Sequence, residues 1–338
     1  AADAQGNIYA TGTFIGAETI DGITITAGAI SPDIFIARFN QNGQCIWLRQ
    51  AGSAARDNGA RDEGTSISFD ENGNVYLAGE AGDNAAFGTW NLTTKGGFVA
   101  KYSPDGQALW VKRAGANRIN GIAADKWGNV MITGKTTRPA IFDTITIPSF
   151  NFAGAYEGRL FVARFNTSGD ALWVKMAGYF NGGDFEDSKG IAMDTDGNSY
   201  LIGNYRWDST YFDSVRIDGR GWEDIFVAKY DTSGRVLWVT DAGSDGAEFG
   251  NAIAVDAAGT CYITGSMSSE NQPVRFGTIL PPHVTQQQDV FVARLGSSGC
   301  STPGISGLSA SAAGVGDTVY ISGVNFSGTY EVSFNGTA

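Results

Sequence analysis

The chain has 338 residues, 42% of them apolar, and a formal net charge of −12, with 23 Lys and Arg against 35 Asp and Glu. That balance speaks against nucleic acid or anionic lipid as the main partner, since phosphate contacts need clustered cations. No apolar run reaches the roughly 18 residues of a spanning helix. Three cysteines, Cys45, Cys261 and Cys300, are too few for a disulfide framework and lack metal-ligand spacing.

In chain order, the first element is a turn and strand, "DAQGNIYATG" at 3–12. A longer phrase follows, "IFIARFNQNGQCIWLRQAG" at 34–52. Both then recur. The turn-and-strand phrase returns as "DENGNVYLAG" at 70–79, "DKWGNVMITG" at 125–134, "DTDGNSYLIG" at 194–203 and "DAAGTCYITG" at 256–265. The longer phrase returns at 97–115, 160–178 and 225–243, and breaks off in "VFVARLGSSGC" at 290–300. The starting Asp residues lie 67, 55, 69 and 62 positions apart, the period of a repeat architecture.

Each repeat reads as four strands. The first is the short apolar run ending in Asp ("SISFD", "GIAAD", "GIAMD", "AIAVD"), and the second is the Y-x-x-G stretch. The third is F-V-A-K/R-Y/F and the fourth L-W-V-K. The D-x-x-G-N and x-x-x-G turns supply Asp to start a hairpin in the first and Gly for positive φ in both. No stretch sustains helical periodicity. The expected fold is all-β, a β-propeller of four-stranded antiparallel blades with five repeat units visible. A linear β-solenoid is the alternative, although its rungs are shorter and parallel. Because the chain starts inside a repeat, it reads as a piece of a longer protein.

The third strand is apolar on both faces except for one cation: Arg38, Lys101, Arg164, Lys229 or Arg294. A cation there needs a partner, and the Asp that ends each first strand (Asp3, Asp70, Asp125, Asp194, Asp256) is the obvious one. The expectation is a structural ion pair in every repeat.

These phrases resemble the bacterial SBBP (seven-bladed β-propeller) repeat family over residues 1–299. The match lies in D-x-x-G-N-x-Y-x-x-G, F-V-A-K/R-Y/F and G-x-x-L-W, in that order. The resemblance implies a module of a large, multi-domain secreted or cell-surface protein. Such proteins are frequent in Bacteroidota, often as type IX secretion cargo. Only five second strands are present, two units short of seven blades. Residues 300–338 resemble the opening of an IPT/TIG immunoglobulin-like domain, in "GDTVYISG" at 316–323 and "VSFNGT" at 332–337. They imply a truncated Ig-like β-sandwich segment at the C-terminus.

Little in the chain suggests catalysis. The one histidine, His283, sits in "PPHVTQQQ", a loop composition. "DTDGN" at 194–198 lacks the later ligands of a calcium loop and is one more hairpin turn. The acidic loop "GGDFEDSKG" offers Asp184, Glu186 and Asp187 as a candidate calcium site. A second acidic loop with Asp57, Asp62 and Glu63 is partly neutralised by Arg56 and Arg61. No other cofactor is implied. Asp143-Thr144-Ile145, Asp213-Ser214-Val215 and Asp317-Thr318-Val319 resemble Bacteroidota O-glycosylation sites.

The repeated Trp residues (Trp47, Trp110, Trp173, Trp238) read as core. Aromatics without a repeated position, among them Trp90, Tyr179, Phe180, Tyr205, Trp207, Tyr211 and Trp222, cluster in the long connections. Those connections run 22, 18, 26, 22 and 25 residues between second and third strands, and 19, 11, 17 and 14 between repeats. Long variable loops on a rigid frame are where binding sits, and exposed aromatics suit sugar rings or protein partners. The expected role is a non-catalytic extracellular or cell-surface scaffold or adhesion module. It would bind protein or glycan through Trp207, Trp222, Tyr179, Phe180 and Trp90. The alternative is a propeller-based polysaccharide hydrolase or lyase.

Overall fold

Alternating apolar runs and D-x-x-G turns fold as the spacing predicts, into antiparallel sheets with no helix among the described residues. The computed structural model describes residues 1–28, 31–53, 61–115, 117–136, 139–148, 159–176, 187–206, 209–268, 272–276 and 289–295, and the backbone of 304–308 and 321–324. These fall into two compact bodies, Ala1–Lys175 and Met176–Ala338.

In the first body the first sheet has three strands, Ile8–Phe14, Asp33–Phe39 and Cys45–Ala51. Ala2 bridges Ile8 where the other sheets have their first strand. The second sheet joins Glu63–Phe69, Val75–Ala81, Gly96–Tyr102 and Ala108–Arg113 in chain order. The third joins Ile119–Ala124, Val130–Thr136, Arg159–Phe165 and Ala171–Met176. In the second body, Asp187–Met193, Ser199–Tyr205, Asp224–Tyr230 and Val236–Gly243 form the fourth sheet, with Arg275–Phe276 added at its edge. Phe249–Val255, Cys261–Met267 and Asp289–Leu295 form the fifth. Four-stranded antiparallel units are therefore present. Of the segment 300–338, Gly304–Leu308 pairs antiparallel with Ile321–Val324; the rest of that expected Ig-like segment lies outside the described residues.

In the second, third and fourth sheets the second and third strands are buried on both faces, as their unbroken apolar runs require. Val75, Leu77 and Ala78 face no solvent, nor do Phe98, Val99 and Ala100. The first strands of successive repeats lie side by side. Ser66 Oγ accepts from Ile122 N at 3.2 Å and Ser68 Oγ from Ala124 N at 3.0 Å.

The connections between second and third strands are not irregular throughout. Each of the first four contains a small hairpin: Ala17–Ile20 with Ile23–Thr26, Ala85–Phe87 with Trp90–Leu92, Ala140–Phe142 with Ile145–Ile147, and Thr210–Phe212 with Val215–Ile217. Their two-residue turns place Asp143 and Asp213 at φ +51°. Asp and Gly tolerate such backbone best.

Each hairpin fills a fixed place. Phe87, Phe142, Phe212 and the corresponding Phe276 meet the third-strand Phe98, Phe161, Phe226 and Phe291 at centroid distances of 4.7, 4.7, 4.8 and 5.0 Å. Two of the hairpins, and the short strand Arg275–Phe276, also pair with the end of the preceding repeat's fourth strand: Gly52 with Ala86, Ala114 with Phe142, and Ala242 with Phe276. They thus cover a sheet edge that would otherwise be open and fasten one repeat to the next.

Phe87→Ala should therefore lower the unfolding free energy by about 3–5 kcal/mol. Trp90→Ala, in the same hairpin but exposed, should change it by no more than about 0.5 kcal/mol. Urea unfolding followed by circular dichroism checks this; equal losses would contradict the fastening role.

Candidate functional site

The end of each sheet that carries the short turns is occupied by the scaffold itself. Asp125 Oδ1 accepts from Trp127 N at 3.0 Å and Asn129 N at 2.9 Å, and its Oδ2 from Asn129 Nδ2 at 2.8 Å. Asp70 does the same with Asn72 and Asn74 and takes the Tyr76 hydroxyl at 2.9 Å. Direct ion pairs with the third-strand cation form in two repeats, Arg164–Asp125 and Lys229–Asp194, each at 3.2 Å. Burial opposes ionisation of Asp194, yet the Asn198 hydrogen bonds and the Lys229 charge hold its carboxyl below the usual range. Arg38, Lys101 and Arg294 lie over the rings of Tyr9, Tyr76 and Tyr262, at 5.8, 5.1 and 5.6 Å. The expected direct pair is thus seen in two repeats, and a cation–π contact accompanies it at Lys229, 4.6 Å over the Tyr200 ring, and is present at Arg38 and Lys101. The hydroxyls of Tyr9, Tyr76 and Tyr262 reach the Asp of their repeats.

The repeated Trp is a key between repeats. Trp47 Nε1 donates to Pro104 O at 2.8 Å, and Trp110 Nε1 to Thr167 O at 3.2 Å, each a carbonyl of the next repeat's turn. Gly106, at φ +77°, lies so close that a Cβ would sit 2.7 Å from the Trp47 ring. Trp127 stands apart at this end, exposed, with Lys126 Nζ 4.5 Å over its ring.

The opposite end differs from repeat to repeat, and in the second body it presents Trp222. The loop before Asp224 is laced to the crossover that follows the fourth strand. Trp222 N donates to Gly246 O at 2.9 Å, Glu248 N to Glu223 O at 2.7 Å, and Arg206 holds Glu223 Oε2 at 3.0 Å. The backbone is fixed on both sides, while the indole is 56% exposed. A rigidly mounted, solvent-facing indole is a platform for a ring or an apolar side chain.

Beneath this loop lie carboxyls that sequence reasoning passed over. Asp224 is fully buried. Its Oδ2 accepts from Arg220 N at 2.8 Å, and its Oδ1 has no hydrogen-bond partner. Burial pushes its pKa up to about 6. Glu248, also fully buried, accepts from Ser244 N at 2.8 Å. Burial, reinforced by the charges of Asp224 and Asp245, raises it to about 7. The first body has a matching arrangement. Asp33 starts a third strand as Asp224 does, and Asp62 is bound by Ser53 N at 2.8 Å and Gly82 N at 2.9 Å. Burial and then the Asp62 charge raise Asp33 to about 6. The signal was present in sequence. A-G-S occurs at 51–53 and 242–244, each followed by an acid two residues before Gly64 or Gly250.

Of the predicted binding aromatics, Trp222 and Trp90 are exposed, at 56% and 43%, and belong to different bodies. Trp207, Tyr179 and Phe180 lie outside the described residues. Tyr205, grouped above with the loop aromatics, is a buried strand residue whose hydroxyl donates to Asp218 O at 3.2 Å. In the candidate calcium cluster, Asp184 and Glu186 lie outside the described residues, and Asp187 pairs with Lys189 at 2.6 Å. In sequence, Glu186 stands where Asp62 and Glu248 stand in their repeats, the acid that binds crossover backbone. Among the described residues no group of three or more His, Cys, Asp or Glu converges to hold a metal ion. Asp143-Thr144 and Asp213-Ser214 are hairpin turns with exposed hydroxyls; Asp317-Thr318-Val319 lies outside the described residues.

The raised carboxyls fix a pH dependence. A group whose folded pKa is raised contributes stability that is complete below its unfolded value, near 4, and lost as pH climbs through the folded value. For Asp33 the loss runs from about pH 4 to about 6. Asp3, Asp194 and Asp256 are lowered and act oppositely, losing stability as pH falls below about 4. Thermal stability should peak near pH 4–5 and decline toward 7, and Asp33→Asn should flatten the decline. Melting curves from pH 3 to 8 test this. A melting temperature that rises steadily from pH 4 to 7 would contradict it.

Comparison with known proteins bears on the repeat. Residues 46–84 match the family model described as SBBP, Beta-propeller repeat. An uncharacterized WD repeat-containing protein of Acanthamoeba polyphaga mimivirus is 22% identical over 344 residues, covering 81% of this chain and 24% of that protein. The chain therefore spans about a quarter of the length of this curated relative. Among solved structures, a protein of unknown function from Bacteroides caccae is 12% identical with a TM-score of 0.36, over 75% of this chain and 64% of its own. An exotype rhamnogalacturonan lyase is 13% identical with a TM-score of 0.33, over 98% of this chain and 68% of its own. The phrase that recurs along the chain is thus, over residues 46–84, similar to a β-propeller repeat.

Proposed function

We propose that the chain is a non-catalytic binding and scaffold module of an extracellular or cell-surface protein, engaging glycan or protein partners through the long-connection end of its sheets. The observation that carries this reading is Trp222. Its backbone is tied to a neighbouring crossover while its indole faces solvent. At the short-turn end the repeated Asp, cation and Trp side chains serve the fold, so repetition there signals structure and not a ligand. The acidic net charge accords with a partner other than nucleic acid. No helix among the described residues is long and apolar enough to cross a membrane. Calcium at Asp184, Glu186 and Asp187 stays part of the proposal as an aid to loop order, and residues 300–338 as the start of an Ig-like domain.

The enzyme reading needs carboxylates converging in an open cleft. Of the acids with raised pKa, Asp33, Asp224 and Glu248 are buried under loop backbone, and Glu80 and Asp241 are half-buried on strands, which favours binding over hydrolysis.

A glycan array probed with the purified chain, with and without calcium, tests the proposal. Trp222→Ala should weaken the strongest hit about tenfold or more, while Trp127→Ala at the opposite end should leave it unchanged. Loss with Trp127→Ala and survival with Trp222→Ala would reverse the assignment of ends.

A further inference from the structure

Ser244 sits at the junction of the fourth strand and the crossover, and its hydroxyl has three partners. Gly246 N donates to Oγ at 2.9 Å, Ser268 O lies at 3.0 Å, and Glu248 Oε1 lies at 2.6 Å. A hydroxyl has one proton to give and two lone pairs to receive. If Ser244 donates to Glu248, the half-buried Ser268 carbonyl loses this donor. If Ser244 donates to Ser268 O, every contact is satisfied only when Glu248 Oε1 carries a proton and donates to Ser244. A protonated Glu248 therefore completes the network, and an ionised one breaks a link.

The network holds the loop described above. Glu248 N donates to Glu223 O, and Glu223 forms a parallel bridge with Ala247. Asp224, across Gly243 from Ser244, binds Arg220 N at 2.8 Å and Gly221 N at 3.4 Å. Both carboxyls are fully buried. Their charged and titratable surroundings are Arg220 and Asp218 of the loop, Asp241 of the fourth strand, Asp245 of the crossover and Tyr205 of the second strand. Arg220 is the one cation among these groups, and it is engaged by Asp241. A second negative charge on the pair would thus have no unengaged counterion in that set.

We propose that Glu248, with Asp224 beside it, is a proton-dependent latch that docks the Trp222 loop on the crossover when protonated and releases it when ionised. The latch regulates the binding end and so rests on the reading of that end given above. Its sign follows from the raised carboxyl: docking is tightest in mildly acidic medium and is lost as pH rises through about 7.

The test is amide hydrogen exchange of the full chain without ligand, so its outcome does not depend on whether Trp222 binds anything. After correction for the intrinsic rate, protection of residues 218–223 and 244–248 should fall about tenfold or more between pH 5.5 and 8.5. Glu248→Gln, whose amide can donate to Ser244 at any pH, should keep its protection across the range. If that variant does not fold, Asp224→Asn serves. Removing the neighbouring charge should move the transition midpoint to lower pH. Protection that is flat with pH in the wild type, an unchanged pH response in Glu248→Gln, or an unmoved midpoint in Asp224→Asn would overturn the latch.

Discussion

A carboxylate taken out of water must be saturated with donors, and Asp70, Asp125 and Asp194, each at the end of a first strand, meet that demand within a few residues of chain. Asp125 receives two backbone amides, an Asn side chain and an Arg. The donors come from the turn, from the second strand or its flank, and from the third strand. One buried group thus fixes the hairpin, the register of its neighbour and the side-chain direction of the cation. Isolated buried charges are destabilising, so the sequence must supply all these partners together, and D-x-x-G-N recurs as a block. Where Tyr stands opposite the cation, as at Tyr76 and Lys101, the ring takes part of the cation's field and the hydroxyl serves the Asp. Arg164, opposite Met131, reaches Asp125 directly, and Lys229, opposite Tyr200, does both, lying over the ring and pairing with Asp194.

Most of the sheet structure could be read from the chain because it follows from local chemistry. Short apolar runs, Gly at positive φ and the spacing between Asp residues define the four strands of each repeat. The fastening hairpins could not be read in the same way. Their strands of about three residues, such as Ala85–Phe87, are too short to show a period. Their burial comes from another strand's Phe. Loop length therefore suggested freedom where about half the connection is structural. Tyr205 was misread for a related reason: it borders an irregular stretch, yet it is the last residue of a second strand that is buried throughout.

The candidate site was legible in part. Trp222 stood out because it has no counterpart in the other repeats, and an unrepeated aromatic in a repeat protein needs its own explanation. The acids beneath it did not, because Asp224 and Glu248 are separated by the third and fourth strands and the crossover. Only the fold brings them together, and only burial shifts their proton affinity. Division of labour between the two ends of a sheet is the consequence. One end is spent on satisfying repeated polar groups and keying Trp into the next turn. The other is released from that duty and carries residues that differ from repeat to repeat.

The central claim is that the repeated Asp and cation are structural, and the buried Asp125–Arg164 pair tests it most directly, with both side chains under 10% exposed. Asp125→Asn, measured by equilibrium denaturation, should cost about 3–5 kcal/mol by leaving Arg164 buried without its counter-charge. Adding Arg164→Leu should recover a substantial part of that loss. Unchanged stability in Asp125→Asn, or no recovery in the double variant, would contradict the account.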